Sequence, residues 1–251
     1  MCHSVDSFPP PPPHPDGEVA LARECRLTSA DGTRFMAYEA RPAGVARAGV
    51  VVLPDIRGLH GFYKRFTRRL AATGLAGIAV DYYGRQLPDD ARERPMAEMF
   101  PLVAELRPEQ VAADARAAVE QLRSPDGPGC DTVFALGFCF GGSQSWMLSA
   151  FGDDFAGCIG FYGRPEDCRP FVDRMRAPLL MLAAGADALT SQEDNHRFAA
   201  ELAAAGVEHE LVMYDGAPHA FFDGEFGFAA ECADAWTRVL DFVTTHAGAA
   251  R

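Results

Sequence analysis

The sequence predicts an α/β fold, an open and mostly parallel sheet with helices on both faces, entered through an N-terminal antiparallel hairpin. Three observations carry that expectation. Short apolar runs recur along the chain, as strands covered on both faces should. Amphipathic stretches of helical period lie between them. The 251 residues, 48% hydrophobic and 23% charged, suffice for one sizeable domain with a large core and no need of a stabilising metal or disulfide.

The elements follow in order. Residues 1–17 (MCHSVDSFPPPPPHPDG) form a Pro-rich leader with five consecutive prolines. It is expected to be a disordered or extended, solvated tail. Residues 18–251 are expected to form the folded domain. Two short strands, 24–28 and 34–40, flank the turn Asp31-Gly32 and read as the hairpin. Buried strands are then expected at 49–53, 77–81, 132–137, 157–161, 179–183 and 210–214. Helices are expected between them at 63–73, 108–123, 143–150, 191–205 and 228–246. Ser191 followed by Asp194 resembles a helix start, and Gly206 is a fitting stop. Such alternation implies right-handed crossovers and parallel strands.

Composition narrows the function. The net charge is -12 and the basic residues are scattered, which excludes a phosphate-neutralising nucleic-acid surface. No apolar run approaches a membrane span or the core of a signal peptide. Seven cysteines, an odd number without a CxxC pair, fit neither a secreted disulfide scaffold nor a zinc site. The chain is therefore expected in the cytoplasm, without nucleic-acid or membrane partners, as a monomer or homodimer.

One segment carries chemistry of its own. Gly137-Phe138-Cys139-Phe140-Gly141-Gly142 runs from an apolar strand into a helix. It has the pattern of the G-x-S-x-G nucleophile elbow of α/β-hydrolases, with sulfur in place of the hydroxyl oxygen. The helix N-terminus then faces Cys139 and favours a thiolate and, later, an oxyanion. Alternatively, Cys139 is a structural cysteine beside a Gly-rich turn.

In that fold the acid and the histidine follow the nucleophile in chain order. Asp187 lies just after the strand at 179–183, and His219 just after the next strand, in Asp215-Gly216-Ala217-Pro218-His219. Both thus sit at the carboxyl ends of neighbouring strands, where open parallel sheets place ligands. His219 can serve as general base and acid, with Asp187 fixing its tautomer. Asp215 and Asp223 compete with Asp187 but read as turn residues. Among the other histidines, His3 and His14 lie in the leader, His196 and His246 on helices, and His209 at a strand start; His60 is a candidate pocket residue. In Pro54-Asp55-Ile56-Arg57-Gly58, after the first buried strand, the Ile56 N–H is expected to join that of Phe140 as an oxyanion hole.

Together these residues resemble the dienelactone hydrolase family, over roughly residues 19–245. The matching motifs are Leu53-Pro54-Asp55-Ile56-Arg57-Gly58, Asp81-Tyr82-Tyr83-Gly84-Arg85, the cysteine elbow, and Gly216-Ala217-Pro218-His219-Ala220-Phe221-Phe222. The resemblance implies a Cys139–His219–Asp187 triad that hydrolyses an ester or lactone through an acyl-thioester, without cofactor or metal. It also implies that Asp55 contacts the resting thiol and that Arg85 pairs with a substrate carboxylate. Tyr83 is expected beside the substrate. Two departures stand out. Asp55 is one methylene shorter than the family's usual glutamate. Asp223 takes the place of a second arginine four residues after the histidine, and an anion there weakens the binding of an anionic lactone. A thioesterase, a ligand-binding protein on the same fold, or a redox-sensing cysteine are the alternatives.

Overall fold

The structure is a computed structural model that describes residues 3–14, 17–87 and 95–248. Its centre is an eight-stranded sheet in the order β1-β2-β4-β3-β5-β6-β7-β8. The strands are β1 (Val19–Thr28), β2 (Arg34–Pro42), β3 (Gly49–Leu53), β4 (Ala76–Val80), β5 (Val133–Phe138), β6 (Gly157–Phe161), β7 (Leu179–Ala184) and β8 (His209–Tyr214). β1 and β2 form the expected hairpin, and β2 runs antiparallel to β4. From β4 through β8 every pairing is parallel.

Side chains along each strand alternate between the two faces, as the pleat requires. On one face Val50, Val52 and Phe138 meet α1 (Gly61–Ala72) and α7 (Ala229–Ala247) through Phe66 and Trp236. On the other, Val51 and Ala135 meet α3 (Pro108–Arg123), α4 (Phe140–Leu148) and α6 (Gln192–Ala204) through Val119, Trp146 and Phe198. β3 to β7 are buried along their whole lengths, whereas the outer strands β1 and β8 are half-exposed. That is why the inner strands read as continuous apolar runs.

The crossover order fixes where a ligand can enter. From β3 the chain goes first to β4 on one side, then to β5 on the other. The carboxyl ends of β3 and β5 therefore diverge at a topological switch point, the usual crevice of such sheets. Cys139 follows β5 and Asp55-Ile56 follow β3, so both flank that crevice.

Three features depart from expectation. α4 starts at Phe140, directly after Cys139 and not at residue 143, because the paired glycines belong to the helix. α2 (Met96–Glu105) and the short α5 (Pro165–Cys168) add helix where none was expected. The leader is not a solvated tail. Its residues 3–12 lie along α1 and the loop after β8, and Pro9, Pro10 and Pro12 are buried. Proline-rich backbone has little conformational freedom to lose on docking, and its carbonyls are unpaired acceptors. Here they receive donors: the Val5 and Ser7 carbonyls from Arg65, the Phe8 carbonyl from the Gly224 N–H, and the Pro10 carbonyl from the Trp236 indole. Among the described residues, no helix is long and apolar enough to cross a membrane.

Candidate active site

At the end of β5 the chain turns so sharply into α4 that Cys139 adopts φ 55° and ψ -118°. Non-glycine residues seldom occupy that region, and it costs energy that the surroundings must offset. Two glycines make the turn sterically feasible. A Cβ on Gly137 would stand 1.9 Å from the Gly141 carbonyl oxygen, and one on Gly141 would stand 2.1 Å from the Leu53 carbonyl oxygen. Among the described residues the other non-glycine positions with positive φ are Tyr162 and Ala220. Tyr162 follows β6 and Ala220 follows His219, so backbone strain gathers around one rim of the sheet.

His219 and Asp187 meet at that rim. The His219 Nδ1 is 2.7 Å from the Asp187 Oδ2, and the other carboxylate oxygen accepts the Leu189 N–H at 2.8 Å. Both side chains are buried. An ionised carboxylate only accepts, so Nδ1 carries the proton and Nε2 is left as the reactive nitrogen. Nε2 is buried without a well-aligned hydrogen bond, and the Cys139 thiol couples to the same ring. Burial pulls the imidazole's pKa down, but the bond to Asp187 and the interaction with Cys139 outweigh it and raise it to about 9. At neutral pH this histidine favours its protonated form, which stabilises a neighbouring thiolate.

The other described thiols differ in kind. Burial pushes Cys25, Cys130 and Cys232 up to about 11, and Cys158 and Cys168 higher still. They stay protonated and inert at neutral pH.

The loop after β3 is braced by tyrosines. The Tyr82 hydroxyl donates to the Pro54 carbonyl at 2.8 Å, and the Tyr83 hydroxyl to the Ile56 carbonyl at 2.6 Å. The Asp55 carbonyl accepts the Gly58 N–H at 3.0 Å and thereby turns the Ile56 N–H the opposite way. Neither that N–H nor the Phe140 N–H donates to another group among the described residues, so both are open to a ligand oxygen. Tyr83 is buried, and its hydroxyl supports this loop.

Asp55 is fully buried, and its carboxylate is spoken for by groups other than the thiol. It accepts from the Arg57 N–H at 2.8 Å and the His3 N–H at 3.2 Å, with the His60 Nε2 at 3.8 Å. Burial pushes its carboxyl up, yet His60, His3 and the Arg57 N–H together hold it below the usual range. His60 thus belongs to the site's surroundings, capping α1 through Nδ1 while it faces Asp55.

Arg85 is not at the site. Its guanidinium grips Asp114 through Nε at 3.2 Å and Nη2 at 2.6 Å, and also binds Asp31, the Thr33 hydroxyl and the Gln110 carbonyl. Every one of its nitrogens is engaged, so it has no fork to offer a substrate carboxylate. It pins the β1–β2 turn to α3.

Two residues that the sequence did not flag as functional complete the picture. Tyr162 packs its ring 4.9 Å from that of His219, and its position after β6 puts it on the same rim as the other strand-end residues. His3 comes from the leader, where no periodicity or motif marks it. It is 1% exposed, stacked on Phe62 at 3.7 Å, with its Nδ1 3.2 Å from Asp223 and its Nε2 2.7 Å from the Tyr162 hydroxyl.

Comparisons with known proteins identify the family and the fold. The sequence profile of the dienelactone hydrolase family matches residues 35–247. A protein of Salmonella typhi assigned as a carboxymethylenebutenolidase is 30% identical over 250 residues, 93% of this chain and 90% of that one. A Klebsiella pneumoniae structure assigned as a dienelactone hydrolase superposes with a TM-score of 0.77 at 26% identity, covering 89% of this chain and 99% of the other. A dienelactone-hydrolase-like promiscuous phosphotriesterase from metagenomic libraries gives 0.73, also at 26%, covering 90% of this chain and 98% of the other.

Proposed function

We propose, for a chain that belongs to the dienelactone hydrolase family, that Cys139, His219 and Asp187 cleave an ester or lactone through an acyl-thioester. Membership makes the chain a carboxylic ester hydrolase on the α/β-hydrolase fold. The observation that carries the finer reading is the strained Cys139 backbone at the switch point, beside an imidazole whose far nitrogen is fixed by Asp187.

The steps follow from the positions. The thiolate of Cys139 attacks the carbonyl carbon, and the carbonyl π pair moves onto oxygen. That oxyanion lies between the N–H groups of Ile56 and Phe140, each typically worth about 3 kcal/mol of barrier. As the intermediate collapses, the C–O bond breaks and the imidazolium of His219 protonates the departing alkoxide or enolate. Water then attacks the thioester while His219 takes its proton. The acid leaves and the thiolate returns. Asp187 keeps the ring in one tautomer throughout.

A thiolate leaves a tetrahedral intermediate more readily than an alkoxide does, so simple alkyl esters revert. Enolate and phenolate leaving groups depart easily, and enol lactones and aryl esters are the matched substrates. With Arg85 engaged elsewhere and Asp223 anionic, the reading does not require a carboxylate-bearing lactone. The free thiols among the described cysteines suit a reducing compartment such as the cytoplasm.

The test is a burst assay with 4-nitrophenyl acetate. Mass spectrometry should find one acetyl group on Cys139 in the wild type and none in Cys139→Ala. Turnover of an enol lactone should exceed that of ethyl butyrate. Equal rates on the two, or an acyl adduct elsewhere, contradict the proposal.

A further inference from the structure

The N-terminal segment does more than cover apolar surface. His3 ties together three loops that hold the proposed machinery, and it does so with every polar atom it has. Its N–H donates to Asp55 Oδ2 at 3.2 Å, one residue from the candidate oxyanion donor Ile56. Its Nδ1 faces Asp223 Oδ2 at 3.2 Å, four residues beyond His219. Its Nε2 is 2.7 Å from the hydroxyl of Tyr162, whose ring packs on His219. Its carbonyl accepts from Arg57 at 3.2 Å. Because the Asp223 carboxylate only accepts, His3 Nδ1 carries the proton and Nε2 receives the Tyr162 O–H.

We infer that His3 is a positioning residue of the hydrolytic site, delivered by the docked segment 3–12; this rests on the reading of Cys139 as nucleophile. The physical reason is the charge it separates. Asp55 and Asp223 are both buried anions, 0% and 3% exposed; without the His3 ring Asp223 loses the Nδ1–H donor, while Asp55 keeps the backbone N–H of residue 3. Buried carboxylates left short of partners shift to admit water or a proton. The segment then loses its side-chain ties to the loops after β8 and β6, and the Tyr162 hydroxyl loses the His3 ring as an acceptor. His3 touches none of the reacting atoms; it fixes the groups that do.

The segment is built to stay. Five of its carbonyls, those of His3, Val5, Ser7, Phe8 and Pro10, take donors from Arg57, Arg65, Gly224 and Trp236. All five are backbone contacts, indifferent to the side chains of the segment. His3 reaches the site loops with its ring, and the Ser7 side chain adds a bond to Asp223.

The experiment compares full-length wild type, His3→Ala, His3→Asn and Cys139→Ala on 4-nitrophenyl acetate, with and without added imidazole. His3→Ala should lose about 10- to 100-fold in kcat, the scale set by sub-ångström to ångström misplacement. Its KM should stay within about two-fold of wild type, since binding contacts are untouched. Imidazole should restore turnover to His3→Ala by refilling the vacated slot, and should not stimulate wild type. His3→Asn, which keeps a donor for Asp223 but is too short to replace Nε2 at the Tyr162 hydroxyl, should fall between. If His3→Ala loses its folded circular dichroism, His3→Asn alone carries the comparison. A kcat for the folded variants equal to or above wild type overturns the inference; an increase would mean that the segment blocks the site instead of building it. Full activity in Cys139→Ala overturns both readings, whereas a dead Cys139→Ala beside a fully active His3→Ala overturns this one alone.

Discussion

Two imidazole–carboxylate pairs meet at the rim of the sheet, with Tyr162 between them, and they titrate in opposite directions. In each, Nδ1 faces Oδ2 of an aspartate, at 2.7 Å for His219 and Asp187 and at 3.2 Å for His3 and Asp223. Burial lowers the pKa of both rings, yet His219 ends at about 9 and His3 ends below its ordinary value. The difference lies in the balance between burial and partners. In His3, the more deeply buried ring, burial outweighs Asp223 and Asp55, whereas in His219 the bond to Asp187 and the interaction with the Cys139 thiol outweigh burial. A histidine–aspartate pair is therefore not in itself a general base. How deeply the ring is buried and which groups face it decide whether the pair moves protons or holds loops.

The largest test of that contrast is Asp187→Asn. The amide can donate to Nδ1, so the ring's tautomer reverses and Nε2 loses its role. Turnover should fall by about 10³- to 10⁴-fold with the fold intact. The His219 pKa, followed by NMR of its ring protons, should drop from about 9 toward 6.5. A ring that still titrates near 9 would mean that Asp187 is not what charges it, and the two pairs would differ for some other reason.

The reactive pair was legible in the sequence, and the structural pair was not. Gly137 and Gly141 are demanded by backbone contacts under 2.5 Å that any Cβ would violate, so the elbow announces itself in residue types. Asp187 and His219 follow the ends of adjacent strands, β7 and β8, whose apolar runs are plain. By contrast, His3 sits in a stretch whose composition alone suggests a solvated tail, and donors far away in the chain, those of Arg57, Arg65, Gly224 and Trp236, hold it down. Arg85 shows the same limit: a long side chain goes where its partners are. Asp114 and Asp31 claim it, although its motif points to a substrate. Arg85→Ala should accordingly cost about 3 kcal/mol in urea unfolding, because it strands the buried Asp114 charge. The ratio of turnover on charged and neutral lactones should not move. A selective loss on charged lactones would return Arg85 to the site.

The smallest effect sharpens the comparison most, because the two pairs should bend the pH dependence of stability in opposite senses. His219 is raised in the fold above its ordinary 6.5. Its stabilising contribution is fully present below that value and is lost as pH rises through about 9. His3 is lowered in the fold, so its neutral ring contributes above 6.5, and that contribution is lost as pH falls toward its folded value. Each slope is limited to about 1.4 kcal/mol per pH unit, the value for one proton. Unfolding free energies measured across the range for His219→Gln should therefore lack the alkaline decline, and those for His3→Gln should lack part of the acid one. If both variants flatten the same limb, the two rings share one protonation behaviour, and burial does not separate them.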